Sequence, residues 1–195
     1  MKNWPKVTVI LPYYKKKRFF KRTFNSILNQ NYKPLEVIIV YDDKDKTELK
    51  YIHKVIKKTK NFKIIVNKKN IGAGLSRNKA IMQASGKYVA FLDADDLWKK
   101  NKLKKQIFFM EKKSISFSFT SYEVIDENNL KINKVIKAKN LNYEKLLKSC
   151  DIGLSTVIAQ KKLMTKFKFP NLLTKEDFVV WLSIAKKNIE MKGIN

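Results

Sequence analysis

Cysteine occurs once, at Cys150, which excludes an internal disulfide and any cysteine-based metal cluster. Histidine also occurs once, at His53, in a lysine-rich stretch that reads as a surface helix from Tyr51 to Lys60. No apolar run approaches the roughly 18 residues needed to span a bilayer, and Met1-Lys2-Asn3-Trp4-Pro5 lacks a signal peptide's hydrophobic region. These absences set the expectation of a cytoplasmic protein. Linkers, internal repeats and low-complexity segments are missing too. The 195 residues are therefore expected to form one domain with a sizeable core, in keeping with 44% hydrophobic content.

Acidic residues are few, 17 against 43 lysines and arginines, for a formal charge of +26. Such a balance ordinarily points to nucleic acid or an anionic membrane. Arginine, however, stands only at Arg18, Arg22 and Arg77, while lysine, asparagine and isoleucine are used throughout, so the charge reads as compositional. Base readout and bidentate phosphate grip favour arginine, and no nucleic-acid motif is present. The expectation is no specific nucleic acid, but peripheral attraction to an anionic membrane, where each nearby lysine is worth about 1 kcal/mol.

What the chain does have is an alternation of short apolar runs and amphipathic segments. Val7 to Leu11 is a β-branched run closed by Pro12, with Tyr13, Tyr14 and Lys15 as its exit loop. Phe19 to Asn29 sets Phe20, Phe24, Ile27 and Leu28 on one helical face. Leu35 to Val40 reads as a second strand running into Tyr41-Asp42-Asp43, a helix carries Leu49, Ile52, Val55 and Ile56, and Phe62 to Val66 is a third strand. Asn70-Ile71-Gly72-Ala73-Gly74 opens a helix bearing Arg77, whose place on the first turns could face an anion. Val89 to Leu92 is a buried strand ending in Asp93-Ala94-Asp95-Asp96. Strands and helices alternating at this spacing predict a parallel, doubly wound sheet.

Carboxylates beyond the C-terminal end of a parallel strand lie where such sheets bind ligands, and hard oxygen ligands there can hold a divalent cation. Asp93 and Asp95, one residue apart, can converge on a metal-bound diphosphate. The competing reading is a helix start, with Asp96 capping a helix from Leu97 to Glu111 and Trp98 packed under the loop. Further on, Ile115 to Ile125 reads as one strand, Asp126 to Asn129 as a hairpin turn into Leu130 to Ile136, Asn142 to Cys150 as a helix and Ile152 to Ala159 as a strand. Lys161 to Lys168 reads as a helical turn. Thr174 to Asp177 resembles a capping arrangement ahead of Phe178-Val179-Val180-Trp181-Leu182.

Taken together, Val7 to Tyr14, Ser26-Ile27-Leu28-Asn29-Gln30, Leu35 to Asp43, Asn70 to Asn78, Gly86 to Asp96 and Glu176 to Trp181 resemble the successive motifs of family-two inverting glycosyltransferases with a GT-A fold. The likeness covers about residues 6 to 187. It implies a mostly parallel α/β sheet flanked by helices, with a nucleotide-sugar half at residues 1–97 and a smaller, antiparallel acceptor half at 98–195. It implies transfer from a nucleotide diphosphate donor, a UDP-sugar, to a glycan or lipid-linked acceptor in cell-envelope polysaccharide synthesis, assisted by Mg²⁺ or Mn²⁺. By the same resemblance Pro12, Tyr13 and Tyr14, the acid at Asp42 or Asp43, and Arg77 would hold the nucleotide. Asp93 would reach the ribose or the metal, Ala94 would lie between the acids, Asp95 would bind the ion, and Asp177 would be the general base.

The chain departs from the family pattern in three places. Tyr41-Asp42-Asp43-Lys44-Asp45 replaces the common Asp-Asp-Gly-Ser turn, leaving Asp42 as the preferred base reader and Asp43 as the other choice. Gln160, followed by Lys161 and Lys162, stands where a basic residue is common. The chain also stops soon after Asn188, short of a segment that often closes over the acceptor, so a shortened enzyme is expected. Two other functions stay open on the residues: a nucleotidyltransferase, which would need a phosphate loop that Pro12-Tyr13-Tyr14 does not supply, and a nucleotide-sugar-binding module without turnover.

Overall fold

A computed structural model of the chain describes residues 4–57 and 60–195. Val7–Tyr13 (β1), Leu35–Tyr41 (β2), Phe62–Val66 (β3) and Tyr88–Phe91 (β4) run parallel, with β1 between β2 and β4 and with β3 outside β2. Lys17–Leu28 (α1), Thr47–Ile56 (α2) and Ala73–Gln83 (α3) make the crossovers. Strands β1 and β4 are buried on both faces, which is why they read as continuous apolar runs.

Alternation along β1 sorts the core into two layers. Val7, Val9, Leu11 and Tyr13 pack with Phe20, Phe24 and Ile27 of α1, Ile52 and Ile56 of α2, and Leu103, Ile107 and Met110 of Lys102–Lys113 (α4). Ile10, with Ile38 and Phe91, joins Ala80 and Ile81 of α3, Met164 of Lys161–Lys166 (α6), and Trp181 and Ile184 of Glu176–Lys186 (α7). Pro12 is accommodated inside β1 because its side of the strand faces β4, and pairing with β4 ends at Ile10 and Phe91, so no ladder bond is lost.

The second half completes the same sheet. Phe117–Thr120 (β5), Ile158–Gln160 (β8) and Met191–Ile194 (β9) extend it to the order β3-β2-β1-β4-β8-β5-β9, with β8 antiparallel to β4 and β5, and β9 parallel to β5. Tyr122–Ile125 (β6) and Lys131–Ile136 (β7) form a separate antiparallel hairpin, and Tyr143–Lys148 (α5) follows with Asn142 as its cap.

Several expectations are corrected. The single strand from Ile115 to Ile125 breaks at Ser121 and serves two sheets. Ile152 to Ala159 is interrupted by a 3-10 turn at Leu154–Thr156, and only from Ile158 does it pair as a strand, β8. No helix starts at Leu97. The α4 helix begins at Lys102, and the amide of Leu103 donates to Gln30 Oε1, so Gln30, just beyond the end of α1, supplies an acceptor that Asp96 was expected to give. Leu28 is exposed while Thr23 takes its place on the buried face of α1. Thr174 makes no cap: Lys175 holds that position at φ +64° with no side-chain bond. His53 is exposed, and the expected continuation of its helix to Lys60 runs through residues 58 and 59, which lie outside the described residues.

Candidate active site

Three loop segments meet at the C-terminal end of the parallel strands. The first follows β2. Asp42 is 2% exposed, and its two carboxylate oxygens accept from Asn67 Nδ2 at 2.8 Å, the Ile71 amide at 2.9 Å and the Gly72 amide at 2.9 Å. It therefore holds the entry to α3 in place, with Gly72 at φ +87°, a conformation that suits glycine. Asp43 next to it is half-buried, and one of its oxygens caps the Asp45 amide.

The loop after β1 divides in the same way. Tyr13 is fully buried, stacks on Tyr41 with ring centroids 5.6 Å apart and donates its hydroxyl to Glu48. Burial first, and the Glu48 charge second, push its phenol pKa up. Pro12 is buried beside it. Tyr14, by contrast, is 44% exposed with Lys15 Nζ over its ring.

The acidic loop after β4 is the centre. Ala94 is buried, and its carbonyl accepts from Thr23 Oγ1 at 2.9 Å. Asp93 and Asp95 stay partly open. Asp93 Oδ1 accepts from Arg77 at 2.7 Å, and Asp95 Oδ2 accepts from Lys16 Nζ at 2.6 Å. Ser155 clamps the loop from the 3-10 turn: its hydroxyl accepts from the Asp93 amide and donates to Asp96, while its carbonyl takes the Trp98 indole N–H at 2.7 Å. Asp96 is itself exposed, yet crowding by the surrounding loop, together with the Asp93 and Asp95 charges and against the Ser155 bond, pushes its carboxyl up to about 6.

Arg77 joins this loop to α7. Its side chain is 4% exposed, with NH2 on Asp93 and NH1 on Glu176 Oε1 at 2.6 Å. Beside Glu176, Asp177 is half-buried and its Oδ1 accepts from the Phe178 amide at 2.8 Å. Burial raises the Asp177 pKa, helped by Glu176 and opposed by the Phe178 amide and Arg77.

The arrangement thus separates the twelve-to-fourteen and forty-two-to-forty-three segments into a buried frame (Pro12, Tyr13, Asp42) and open groups (Tyr14, Asp43). Lys16 and Ser155 touch this loop, and Glu176 reaches it only through Arg77, although the sequence reading gave none of them a role. Glu176 stood in plain view beside Asp177; Lys16 and Ser155 carry no local signal, because only the tertiary fold brings them to Asp95 and Asp93.

Two partly open carboxylates on the loop after β4, with a third at the start of α7, are suited to a cation-assisted displacement with a carboxylate base. Among the described residues no group of three or more His, Cys, Asp or Glu side chains forms a ready metal cage.

Comparison with known proteins identifies the family. The family model described as Glycosyl transferase family 2 matches residues 8–173. TuaG, a putative teichuronic acid biosynthesis glycosyltransferase of Bacillus subtilis (strain 168), is 37% identical over 197 residues, covering 100% of this chain and 78% of its own. WfgD of Escherichia coli, a UDP-Glc:alpha-D-GlcNAc-diphosphoundecaprenol beta-1,3-glucosyltransferase, is 38% identical over 183 residues, covering 93% of this chain and 70% of its own. The crystal structure of S. aureus TarS 1-349 in complex with UDP superposes with a TM-score of 0.77 at 26% identity; the match covers 97% of this chain but 57% of TarS. The chain belongs to glycosyltransferase family 2 and has its GT-A fold.

Proposed function

We propose that the chain transfers a sugar, with inversion, from a UDP-sugar to a hydroxyl of a lipid-linked or glycan acceptor in cell-envelope polysaccharide synthesis. The observation that carries this reading is Asp177, a half-buried carboxylate tied through Glu176 and Arg77 to the open acids at the end of β4. The UDP complex of TarS supports a uridine donor, and the activity named for WfgD supports a diphosphoundecaprenol-linked acceptor. We assign donor handling to residues 1–97 and acceptor handling to 98–195, as parts of one domain.

In this reading the base pocket is formed by Tyr14, whose exposed ring can cover a base, and by Asp43, because Asp42 has spent both oxygens on Asn67, Ile71 and Gly72. Asp93 and Asp95 fit a divalent ion: each keeps one oxygen free, and the Lys16 ammonium on Asp95 marks a place where positive charge is held. Mg²⁺ or Mn²⁺ needs only one or two carboxylates there, since donor phosphates and waters complete its shell. Bound, the ion would neutralise charge developing on the departing diphosphate. Asp177 takes the proton of the acceptor hydroxyl. The acceptor oxygen then bonds to the anomeric carbon as the bond from that carbon to the phosphate oxygen breaks, and the electron pair leaves with UDP.

Asp177→Asn tests the reading, since it keeps size and hydrogen bonding but cannot accept a proton. Transfer measured with UDP-sugars and a lipid-diphosphate sugar acceptor should fall by about 10²- to 10⁴-fold with UDP affinity unchanged. The acid limb of the parent's rate profile should lie above the ordinary Asp value of about 3.9, because activity requires the unprotonated form of a carboxylate whose pKa burial has raised. Full activity in the Asn variant would remove Asp177 from the chemistry.

A further inference from the structure

Helix α3 grips the segment that leads into α7 at four points. A Cβ on Gly74 would lie 3.0 Å from Glu176 Cγ and 3.0 Å from the Pro170 carbonyl, so any larger residue would crowd this approach and push its neighbours by a few tenths of an ångström. Asn78, one turn on, pairs its amide with both backbone groups of Phe169: Nδ2 donates to the carbonyl at 2.8 Å and Oδ1 accepts from the amide at 3.0 Å. The Arg77 guanidinium lies 5.5 Å from the Phe169 ring centroid. Its two terminal nitrogens then reach in different directions, one to Asp93 beyond β4 and one to Glu176 in the first turn of α7.

The Arg77 Nε is buried and makes no hydrogen bond among the described residues, so its directional bonding goes to two carboxylates of two separate elements. A guanidinium is suited to this, being planar, permanently charged and forked, whereas an ammonium is a point charge. Glu176, its side chain 13% exposed, gives one oxygen to Arg77 and sits directly before Asp177. The backbone just ahead needs such a hold: Lys175 turns at φ +64° without a side-chain cap, so nothing local fixes the entry to α7.

We propose, on the reading given above for Asp177, that Arg77 is a positioning residue: a strut that sets the Asp177-bearing turn against the Asp93 loop, not a group that binds the nucleotide. The two hands of the strut have separable effects. Cutting the Glu176 hand loosens the base and leaves the donor loop intact. Shortening Arg77 to lysine cuts at least one hand and disturbs both sides.

The experiment compares the parent, Glu176→Gln, Arg77→Lys and the double variant by three readouts: calorimetric UDP affinity with Mn²⁺, kcat for transfer, and amide hydrogen exchange across residues 176–182. Glu176→Gln should leave UDP affinity within about twofold while kcat falls about 10- to 100-fold, the scale of a small misplacement of a reacting group. Exchange should speed up in 176–182 and stay unchanged in α3. Arg77→Lys should also weaken UDP binding, through Asp93, and the double variant should be no worse in kcat than Arg77→Lys. The proposal is overturned if Glu176→Gln weakens UDP binding as much as Arg77→Lys does, if the two substitutions add in full, or if exchange in 176–182 does not move. Should the parent bind UDP but transfer nothing, the functional reading fails, and the exchange data alone decide on the strut. If Arg77→Lys fails to fold, Glu176→Gln against Asp177→Asn gives the same decision, because only the former should change exchange.

Discussion

Glu36 lies at the edge of the sheet away from the acidic loops and shows how a single buried carboxylate can steady the fold. It accepts from Thr8 Oγ1 and the Ser85 amide, with Lys63 at 3.3 Å. Burial would raise its pKa, but these bonds outweigh burial and bring it down to about 2 from 4.5. A carboxylate with a lowered folded pKa stabilises above its unfolded value and loses that contribution as pH falls through the folded one. Glu36→Gln should therefore melt lower than the parent at pH 7, and the gap in Tm should close between about pH 4.5 and 2. A gap independent of pH would mean the loss is one of packing. At the active site, Asp95→Ala should abolish the divalent-ion dependence of UDP binding, and chelator should weaken that binding in the parent; equal affinity with and without Mn²⁺ would leave Asp95 a partner of Lys16 alone. The acids themselves were legible as residue types at a strand end. Which of them faces outward was not, since Asp42 and Asp43 are adjacent in sequence and only the incoming amides of Ile71 and Gly72 tell the buried one from the open one.

Among the elements, α7 carries the proposed base Asp177 and is anchored by Trp181. That side chain is fully buried, edge-on to Phe117 at 4.9 Å and to Phe169 at 6.1 Å between ring centroids. Its indole N–H finds no acceptor among the described residues, so the contact is one of shape alone. Trp181→Ala should cost about 3–5 kcal/mol in denaturant unfolding, the usual range for removing a large buried aromatic. Trp181→Phe should cost far less, because it keeps an aromatic ring and removes an unpaired N–H. Equal losses would mean the indole has a partner after all. The first four strands and their helices could be read from the chain because each is an apolar run or an amphipathic stretch of ordinary length. Strand β8 was read too long, as Ile152 to Ala159, and β9 was not read: one has three residues, the other is Met191-Lys192-Gly193-Ile194, and both are extended through partners far away in sequence. Helix α4 was displaced for a similar reason, its first turn being held by Gln30 just after α1.

For the molecule as a whole, the charge of +26 comes mostly from lysines spread over the surface, and no helix among the described residues is long and apolar enough to cross a membrane. Co-sedimentation with liposomes should rise with anionic lipid and fall with salt, as expected of screened, non-specific attraction. A marked preference for one nucleic-acid sequence over another would break the compositional account. The sheet order has a consequence for synthesis. β4 has β1 on one side and β8 on the other, and its partner residues Tyr88 and Gln160 are seventy-two positions apart. At about 5–20 residues per second, the open edge of β4 waits roughly 4 to 14 seconds on the ribosome before β8 can cover it. During that interval an apolar strand edge is offered to any neighbouring chain, so the burden on chaperones falls between the making of the first four strands and their closure.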